Sequence, residues 1–432
     1  MCVPYVNRPW DGREQCAAEA AMNRPDSYRS LLNIPGLPPL LVAAIFSRLA
    51  GRMFVLTLVL FVLARFSSPE WAGWLTFAAI APGLIVSPVA GAILDRVGPT
   101  AAVGIDFVAS AVFVAAVGVA GWAGSATPAA LAVLSILYSL TGPLGAAGTR
   151  TLLPRLVPPA ALDRANALDT AIYAIVDVAG PALAGAMAAS LGPAAAILVI
   201  AVAYAVAAIC LSRVPRLPGL AATRASLWKQ AIEGIGMVAT QPTLRGLAIS
   251  YSLYQITWGA LIVVVPTFVA AHFSRASASS ITGLMWAAVG IAGGLGALLA
   301  GRLRTDGRER KIMAAGMAVT AAAAWPVAGE FGLAGLIVAL VLAGMAAGPV
   351  DVALLTLRQR RTAPRQLGRV MSVSMSLNVA GFPVGSAIAG MLIDTSSSVA
   401  LMAAAIASAI AALATSAIPH DIGSVQAGKE SG

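Results

Sequence analysis

Charge and histidine are what this sequence has least of. Of its 432 residues 11% are charged and 59% hydrophobic, whereas a soluble domain carries roughly 25% charged residues because its surface must be wetted. A chain so poor in charge cannot cover itself with water, and no block of domain size between its apolar runs looks soluble. The two histidines, His272 and His420, fall near an outer turn and past the last apolar run. Hydrolytic chemistry needs a nucleophile with a base, or a metal site, and no Ser/His pair or metal cluster can be assembled at membrane depth. An enzyme, a bound metal and a cofactor are therefore not expected. A nucleotide-driven pump is excluded for want of a Gly-x-x-x-x-Gly-Lys-Ser/Thr loop. The three cysteines, Cys2, Cys16 and Cys210, have no metal-ligand spacing and make no framework of bridges. Strict alternation of apolar and polar residues is missing too, which excludes a membrane β-barrel.

What is abundant is long charge-free sequence. From Phe107 to Thr149, 43 residues contain no Asp, Glu, Lys or Arg, interrupted only by the turn-like Gly121-Trp122-Ala123-Gly124-Ser125-Ala126-Thr127-Pro128. A span needs about 20 apolar residues, so this run holds two helices. The same reading along the chain gives spans near 38–64, 71–94, 100–122, 127–149, 166–190, 192–212, 244–271, 279–301, 312–329, 332–356, 370–393 and 397–418. Segments with Ala, Gly and Leu on every face must satisfy their own backbone in lipid, which only a helix does. The expected fold is an all-α membrane protein with twelve transmembrane helices in two pseudo-symmetric six-helix bundles.

The net charge of +10 would suit nucleic acid, but the basic residues sit in alternate turns, as membrane topology requires. Arg24, Arg29, Arg96, Arg155, Arg164, Arg213 to Lys229, Arg302 to Lys311 and Arg358 to Arg369 stand on one side, and the other side offers Arg65 and Arg275. Both termini are expected in the cytoplasm, and the chain in the cell (inner) membrane as a multi-pass protein. The lipid bilayer, not nucleic acid, is its expected surrounding. The first 21 residues are polar and irregular, reading as a tail or as a misplaced start before Met22. No cleavable signal is visible, because the first apolar run is far from the N-terminus and too long.

The longest internal loop, about 213–243, divides six spans from six. Within it Leu227, Trp228, Ala231, Ile235 and Val238 recur at helical spacing opposite Lys229, Gln230 and Glu233, the pattern of an amphipathic helix on the inner leaflet. A solvated linker is the alternative. The expected organisation is a cytoplasmic tail (1–37), an N-terminal six-helix bundle (38–212), this linker (213–243), a C-terminal six-helix bundle (244–418) and a cytoplasmic tail (419–432). A weak internal repeat supports the division. Asp177-Val178-Ala179-Gly180-Pro181 in the fifth span matches Asn378-Val379-Ala380-Gly381-Phe382-Pro383 in the eleventh, and Gly142-Pro143 in the fourth matches Gly348-Pro349 in the tenth. Gly91-Ala92-Ile93-Leu94-Asp95-Arg96-Val97-Gly98 has a degraded counterpart in Gly301-Arg302-Leu303-Arg304-Thr305-Asp306-Gly307-Arg308.

On these motifs the chain resembles the major facilitator superfamily. Gly91-x-x-x-Asp95-Arg96-x-Gly98 resembles that family's signature loop, and Gly180-Pro181-x-x-Ala184-Gly185 resembles the fifth-span motif of its proton-driven exporters. Leu153-Pro154-Arg155-Leu156-Val157-Pro158-Pro159 leading to Arg164-Ala165-Asn166-Ala167-Leu168, with Gly368-Arg369-Val370-Met371, is similar to the branch of macrolide and siderophore (enterobactin-type) exporters. The resemblance covers residues 38–418. Pro99 and Thr100 depart from the usual basic residues of the loop, and Val176 from the upstream glycine of the fifth-span motif. Gly91 and Asp95 are four apart and share a helix face, where glycine admits a neighbouring helix and the carboxylate caps it or pairs with an arginine. The resemblance implies a latch that closes the cytoplasmic side against the start of the eleventh span, with Arg150 as ion-pair mate. A simple tight turn is the alternative.

Ionisable residues inside the spans are the sharper signal, since an unpaired charge at the bilayer centre costs roughly 3 kcal/mol. They are Arg48, Arg52, Asp106, Asp177 and Asp351. Arg48 and Arg52 lie one turn apart on one face, either facing a cavity that draws an anionic substrate or paired with Asp106. Asp177 stands beside the break that Gly180-Pro181 should impose on the fifth span and is the first candidate for proton coupling, with Asp351 second and Asp106 also a candidate. Permanent neutralisation by an arginine or by backbone donors is the alternative for each. Tyr251, Tyr254, Gln255 and Trp258 give the seventh span an aromatic and amide face, a wall for an amphipathic substrate with Asn378 opposing it, or plain packing. Gly290, Gly293, Gly294 and Gly296 read as a surface for close helix packing.

The expected function is secondary transport by alternating access. Two bundles rock about a midplane site while a proton gradient drives export of a hydrophobic or amphipathic small molecule, with the protein acting as a monomer. Facilitated or proton-coupled uptake of a small metabolite, and a non-transporting membrane sensor, are the alternatives.

Overall fold

The computed structural model describes residues 31–158, 162–217, 227–302, 307–362, 373–374 and 376–419. Among these residues, twelve helices are long and apolar enough to cross a membrane. The first six are Leu37–Phe66, Pro69–Val97, Pro99–Trp122, Pro128–Leu156, Leu162–Leu191 and Pro193–Leu211. The second six are Pro242–His272, Arg275–Arg302, Glu309–Glu330, Gly332–Arg360, Ser376–Ile393 and Ser397–Ala414. No strand occurs among the described residues, and the all-helical, twelve-span fold expected from composition is the one adopted.

Local chemistry explains where the helices start. Pro69, Pro99, Pro128, Pro193 and Pro242 each open a span, at the position where a missing N–H costs nothing and a fixed φ favours the helix. Ser68 Oγ accepts from the Trp71 N–H at 3.2 Å and Thr127 Oγ1 from the Ala130 N–H at 3.3 Å, satisfying donors that the first turn leaves open. A single residue, Gly98, joins the second and third spans at a φ of 90°. That conformation strains any L side chain, which accounts for the glycine closing the signature loop.

Two features differ from the plain-helix expectation. The fourth span runs on to Leu156 with Pro154 inside it, beyond the apolar limit near 149, so that Arg155 stands in its last turn. The ninth span carries a π-helical turn, Ala323–Val327, around Pro326. Proline has no N–H to give, and the wider turn absorbs the missing bond.

Packing distinguishes the two ends of the molecule. Away from the basic turns, one apolar core draws on both sets of six. Phe61, Leu75, Val114 and Ile197 pack in a single cluster with Val264, Met285, Leu340 and Leu401. Toward the basic turns the core divides. Leu40, Val103, Leu152 and Leu211 form one cluster, and Leu247, Met313, Val350 and Leu357 form another. The apolar core is thus shared by the two halves at one end and divided between them toward the other.

Small residues make the seams, as they do where membrane helices approach closely. Between the second and eleventh spans, Ser386 Oγ donates to the Gly73 carbonyl at 3.3 Å, and the Ser87 and Ser376 hydroxyls meet at 2.6 Å. Between the fifth and eighth, a Cβ on Gly185 would lie 2.7 Å from the Gly283 Cα. Of the eighth-span glycines, Gly290 faces Val178, Gly293 faces Gly344 and Gly296 faces Met345. Gly294 has open space beside it, so the packing surface excludes it.

A shorter helix, Leu227–Thr240, connects the two sets of spans. Val238 is buried with Leu244 and Val373, while Ile232 and Ile235 are exposed. The side chains of Leu227, Trp228, Lys229, Gln230, Ala231 and Glu233 lie outside the described residues.

Candidate functional site

Arg48 and Arg52 of the first span are each paired, but not with the expected acid. Arg48 Nη2 lies 2.7 Å from Asp169 Oδ1, with the two side chains 9% and 18% exposed. Its guanidinium sits 3.7 Å over the Tyr173 ring, adding a cation–π contact. Arg52 Nε lies 2.6 Å from Asp177 Oδ1, and these side chains are 56% and 45% exposed. Two charged links therefore tie the first span to the fifth. Arg48 is a buried structural partner and not a cavity wall, whereas the Arg52–Asp177 pair is open. Asp169 went unsuspected because it falls close to the expected start of its span. The helix begins at Leu162, which places Asp169 two turns inside.

Asp106, the other acid expected near these arginines, is buried and receives a neutral donor. Ser110 Oγ donates to it at 3.3 Å, and Thr141 and Gly145 of the fourth span stand beside it. Its Oδ2 occupies the space that a Cβ on Gly145 would need. Beside it the Tyr138 and Tyr204 hydroxyls meet at 2.7 Å. Sequence reasoning did not single out this tyrosine pair, because two tyrosines on different spans carry no local pattern.

The C-terminal half has a cavity of about 240 Å³, lined by Tyr251, Tyr254, Gln255, Trp258, Ala347, Asp351 and Phe382. Spacings of three and four put the four seventh-span residues on one helix face. The Tyr251 hydroxyl donates to Asp351 Oδ1 at 2.6 Å, and Tyr254 shares a hydrogen bond with Thr320 Oγ1 at 3.1 Å. The rings of Tyr251, Tyr254, Trp258 and Trp286 follow one another at centroid separations of 5.9, 6.2 and 6.3 Å. Among the described residues no arginine or lysine pairs with Asp351, while Asp177 of the other half lies within electrostatic reach. Tyr251 and Asp351 each stand nine residues from the basic end of their helix, or about 13 Å at 1.5 Å per residue.

Asn378 does not oppose this wall. In the amide orientation that satisfies both its groups, it donates to the Ser374 carbonyl at 3.1 Å and accepts from Arg358 of the tenth span. A buried guanidinium needs an acceptor, and Asn378 supplies one. The fifth span is also unlike its expectation, running unbroken from Leu162 to Leu191 with Pro181 inside. A Cβ on Gly180 would lie 2.7 Å from Arg52 Cβ, and one on Gly283 would lie 2.7 Å from the Pro181 carbonyl. The Gly180-Pro181 motif is thus a contact surface for the first and eighth spans, and such neighbours let a membrane helix tolerate proline. Arg96 is exposed, and the side chains of Asp95 and Arg150, with the surroundings of Gly91, lie outside the described residues.

Comparison with known proteins agrees with this architecture. The family profile described as Major Facilitator Superfamily matches residues 40–247 and 247–427. An uncharacterized MFS-type transporter of Sinorhizobium fredii (strain NBRC 101917 / NGR234), y4rN, is 65% identical over 400 residues, covering 93% of this chain and 99% of that protein. The multidrug efflux pump Tap of Mycolicibacterium fortuitum is 30% identical over 375 residues, 82% of this chain and 89% of that protein. Among solved structures, the nucleoside transporter NupG superposes with a TM-score of 0.67 at 12% identity, over 88% of this chain and 98% of that one. A bacterial homologue of the iron transporter ferroportin, in an inward-facing state, gives 0.64 at 16% identity, over 89% and 98%. At such identities the likeness shows the fold alone.

Proposed function

This chain belongs to the Major Facilitator Superfamily and is a membrane transporter, not an enzyme, and on that premise we propose that it exports an amphipathic small molecule in exchange for protons, with Asp351 as the coupling carboxylate. The observation that carries the proposal is the setting of Asp351. It has a single hydroxyl donor, Tyr251 at 2.6 Å, no cationic partner among the described residues, and an aromatic and amide cavity around it. A carboxylate that faces a cavity without a fixed counter-charge is suited to binding a mobile one. Asp177 already has Arg52 at 2.6 Å, which supports placing Asp351 ahead of it in this reading.

Competition for one carboxylate gives antiport its simplest form. Substrate enters from the basic end, where the apolar core is divided, and its apolar portion stacks on Tyr254 and Trp258 while its polar portion displaces the proton from Asp351. The halves then rock, closing the basic end and opening the shared core. A proton from the far side takes the carboxylate back and releases the substrate. Neutralising Asp351 also removes its repulsion with Asp177 across the gap, easing the return. Both termini lie on the cytoplasmic side of the cell membrane in this scheme, so the basic end is the loading side. One chain supplies both halves and the cavity, and a monomer suffices. Export over uptake is supported by the relative named as a multidrug efflux pump and by the motif resemblance to macrolide and siderophore exporters.

The test is substrate-driven proton movement in liposomes that carry a lumenal pH dye and an imposed pH gradient. Adding macrolides, dyes and catechol-type siderophores in turn should release protons through the wild type, and Asp351→Asn should stop the response. Flux that survives this substitution would return the role to Asp177 or Asp106. A wild type that moves no proton with any compound would leave facilitated uptake as the better reading.

A further inference from the structure

A second cavity, sharing no residue with the first, lies at the basic end of the C-terminal half. It is a groove of about 440 Å³. Ile235 and Val238 of the connecting helix form one wall, Ala248 and Ile249 of the seventh span a second, and Leu377 and Ala380 of the eleventh a third. From Arg245 at its mouth to Ser252 it follows the seventh span for seven residues, about 10 Å, against about 15 Å for the hydrocarbon of one leaflet. Its inner end is shut, because the eleventh span approaches so closely at Gly381 that a Cβ there would meet the Ser252 backbone.

We propose that this groove binds one acyl chain of an anionic phospholipid, with the lipid phosphate seated on Arg245. Apolar lining alone does not select a lipid, since bilayer tails are as apolar as the groove. The charge at the mouth does. Arg245 is exposed, one guanidinium nitrogen reaches the Ala239 carbonyl at 3.4 Å, and no carboxylate among the described residues pairs with it. Arg96, Arg213, Arg216, Arg308 and Lys311 are exposed or partly exposed at the same end, and a basic surface of this kind draws anionic lipid. Guanidinium presents several donors in a fork that suits phosphate oxygens. The chain itself fills space between three helices, restoring dispersion contacts that an empty slot lacks. It thereby ties the connecting helix to the seventh and eleventh spans.

The full chain, purified in mild detergent and equilibrated with phosphatidylglycerol and phosphatidylcholine, should retain about one phosphatidylglycerol per molecule and discriminate against phosphatidylcholine. Arg245→Gln should lower that preference about fivefold. Ala248→Trp, which fills the groove from the seventh span, and Leu377→Trp, which fills it from the eleventh, should each abolish retention above the phosphatidylcholine level. Retention that both tryptophan variants leave unchanged would overturn the proposal, as would binding with no headgroup preference. Displacement of the lipid by a compound that drives proton flux, one for one, would instead assign the groove to a transported molecule and overturn it too.

Discussion

Two residues beyond the proline of the fourth- and tenth-span repeat, the N-terminal half has Gly145 and the C-terminal half Asp351. In the first half the vacant side-chain position is filled by the carboxyl of Asp106, arriving from the third span, buried and bonded to Ser110. In the second half the position brings its own carboxylate, bonded to Tyr251 and open to a cavity. The fifth- and eleventh-span repeat diverges in the same sense. Its glycine does the same work in both halves, with Gly180 against Arg52 of the first span and Gly381 against Ser252 of the seventh. Its acidic position does not, since Asp177 is paired with Arg52 while the matching Asn378 serves Arg358. One scaffold has thus been used twice, once with its charges closed into pairs or buried and once with a carboxylate left open. The fifth- and eleventh-span glycines thus each admit a neighbouring span, whereas in the fourth- and tenth-span repeat Gly142 has open space beside it and its match Gly348 meets the eighth-span main chain, so the repeats share sequence positions more than contacts or polar roles.

Substitutions in the two halves should differ in their cost. The largest expected effect on stability is at Asp169. Asp169→Leu strands the buried Arg48 guanidinium and should cost about 3–5 kcal/mol, read as a lower midpoint of thermal unfolding in detergent. The double variant Arg48→Met with Asp169→Leu should recover most of that loss, because an apolar pair of similar volume removes the uncompensated charge. Gly381→Ala and Gly180→Ala come next. Each puts a methyl where the neighbouring span already stands, at about 1–3 kcal/mol, and Gly381→Ala should be the worse since it meets main chain. Gly145→Ala belongs with them, as it must displace the Asp106 carboxyl. Smallest is Asp177→Asn, where the pair is half exposed and its loss should cost about 1 kcal/mol or less. A large destabilisation by Asp177→Asn together with a small one by Asp169→Leu would reverse the division between structural and open pairs.

Much of the fold was legible because lipid leaves a long apolar segment no alternative to a helix, whereas the helix starts at Pro69, Pro99, Pro128, Pro193 and Pro242 are features of the structure. The seventh-span wall was legible for a related reason, since residues three and four apart must share a face. Pairing was not. Whether Arg48 meets Asp106 or Asp169 depends on which spans are neighbours and how deep each starts, and an error of four residues in the fifth helix hid Asp169 from view. The Gly180-Pro181 break was expected from local chemistry alone, and the packing of the first and eighth spans against that motif overrode it. Asn378 could be seen as polar and intramembrane, but only the buried Arg358 beside it explains where its amide turns. Gly98 was legible as a motif residue, and its φ of 90° supplies the reason.

In the proposed mechanism the two halves divide the labour of charge, with the open carboxylate in the second. Its most direct test is a side-by-side measurement of substrate-driven proton flux in liposomes for Asp351→Asn and Asp177→Asn, each checked for unchanged folding by its unfolding midpoint. Flux should be lost in Asp351→Asn and kept in Asp177→Asn. Flux kept in the first and lost in the second would contradict the assignment of Asp351 and would move proton coupling to the paired carboxylate of the N-terminal half.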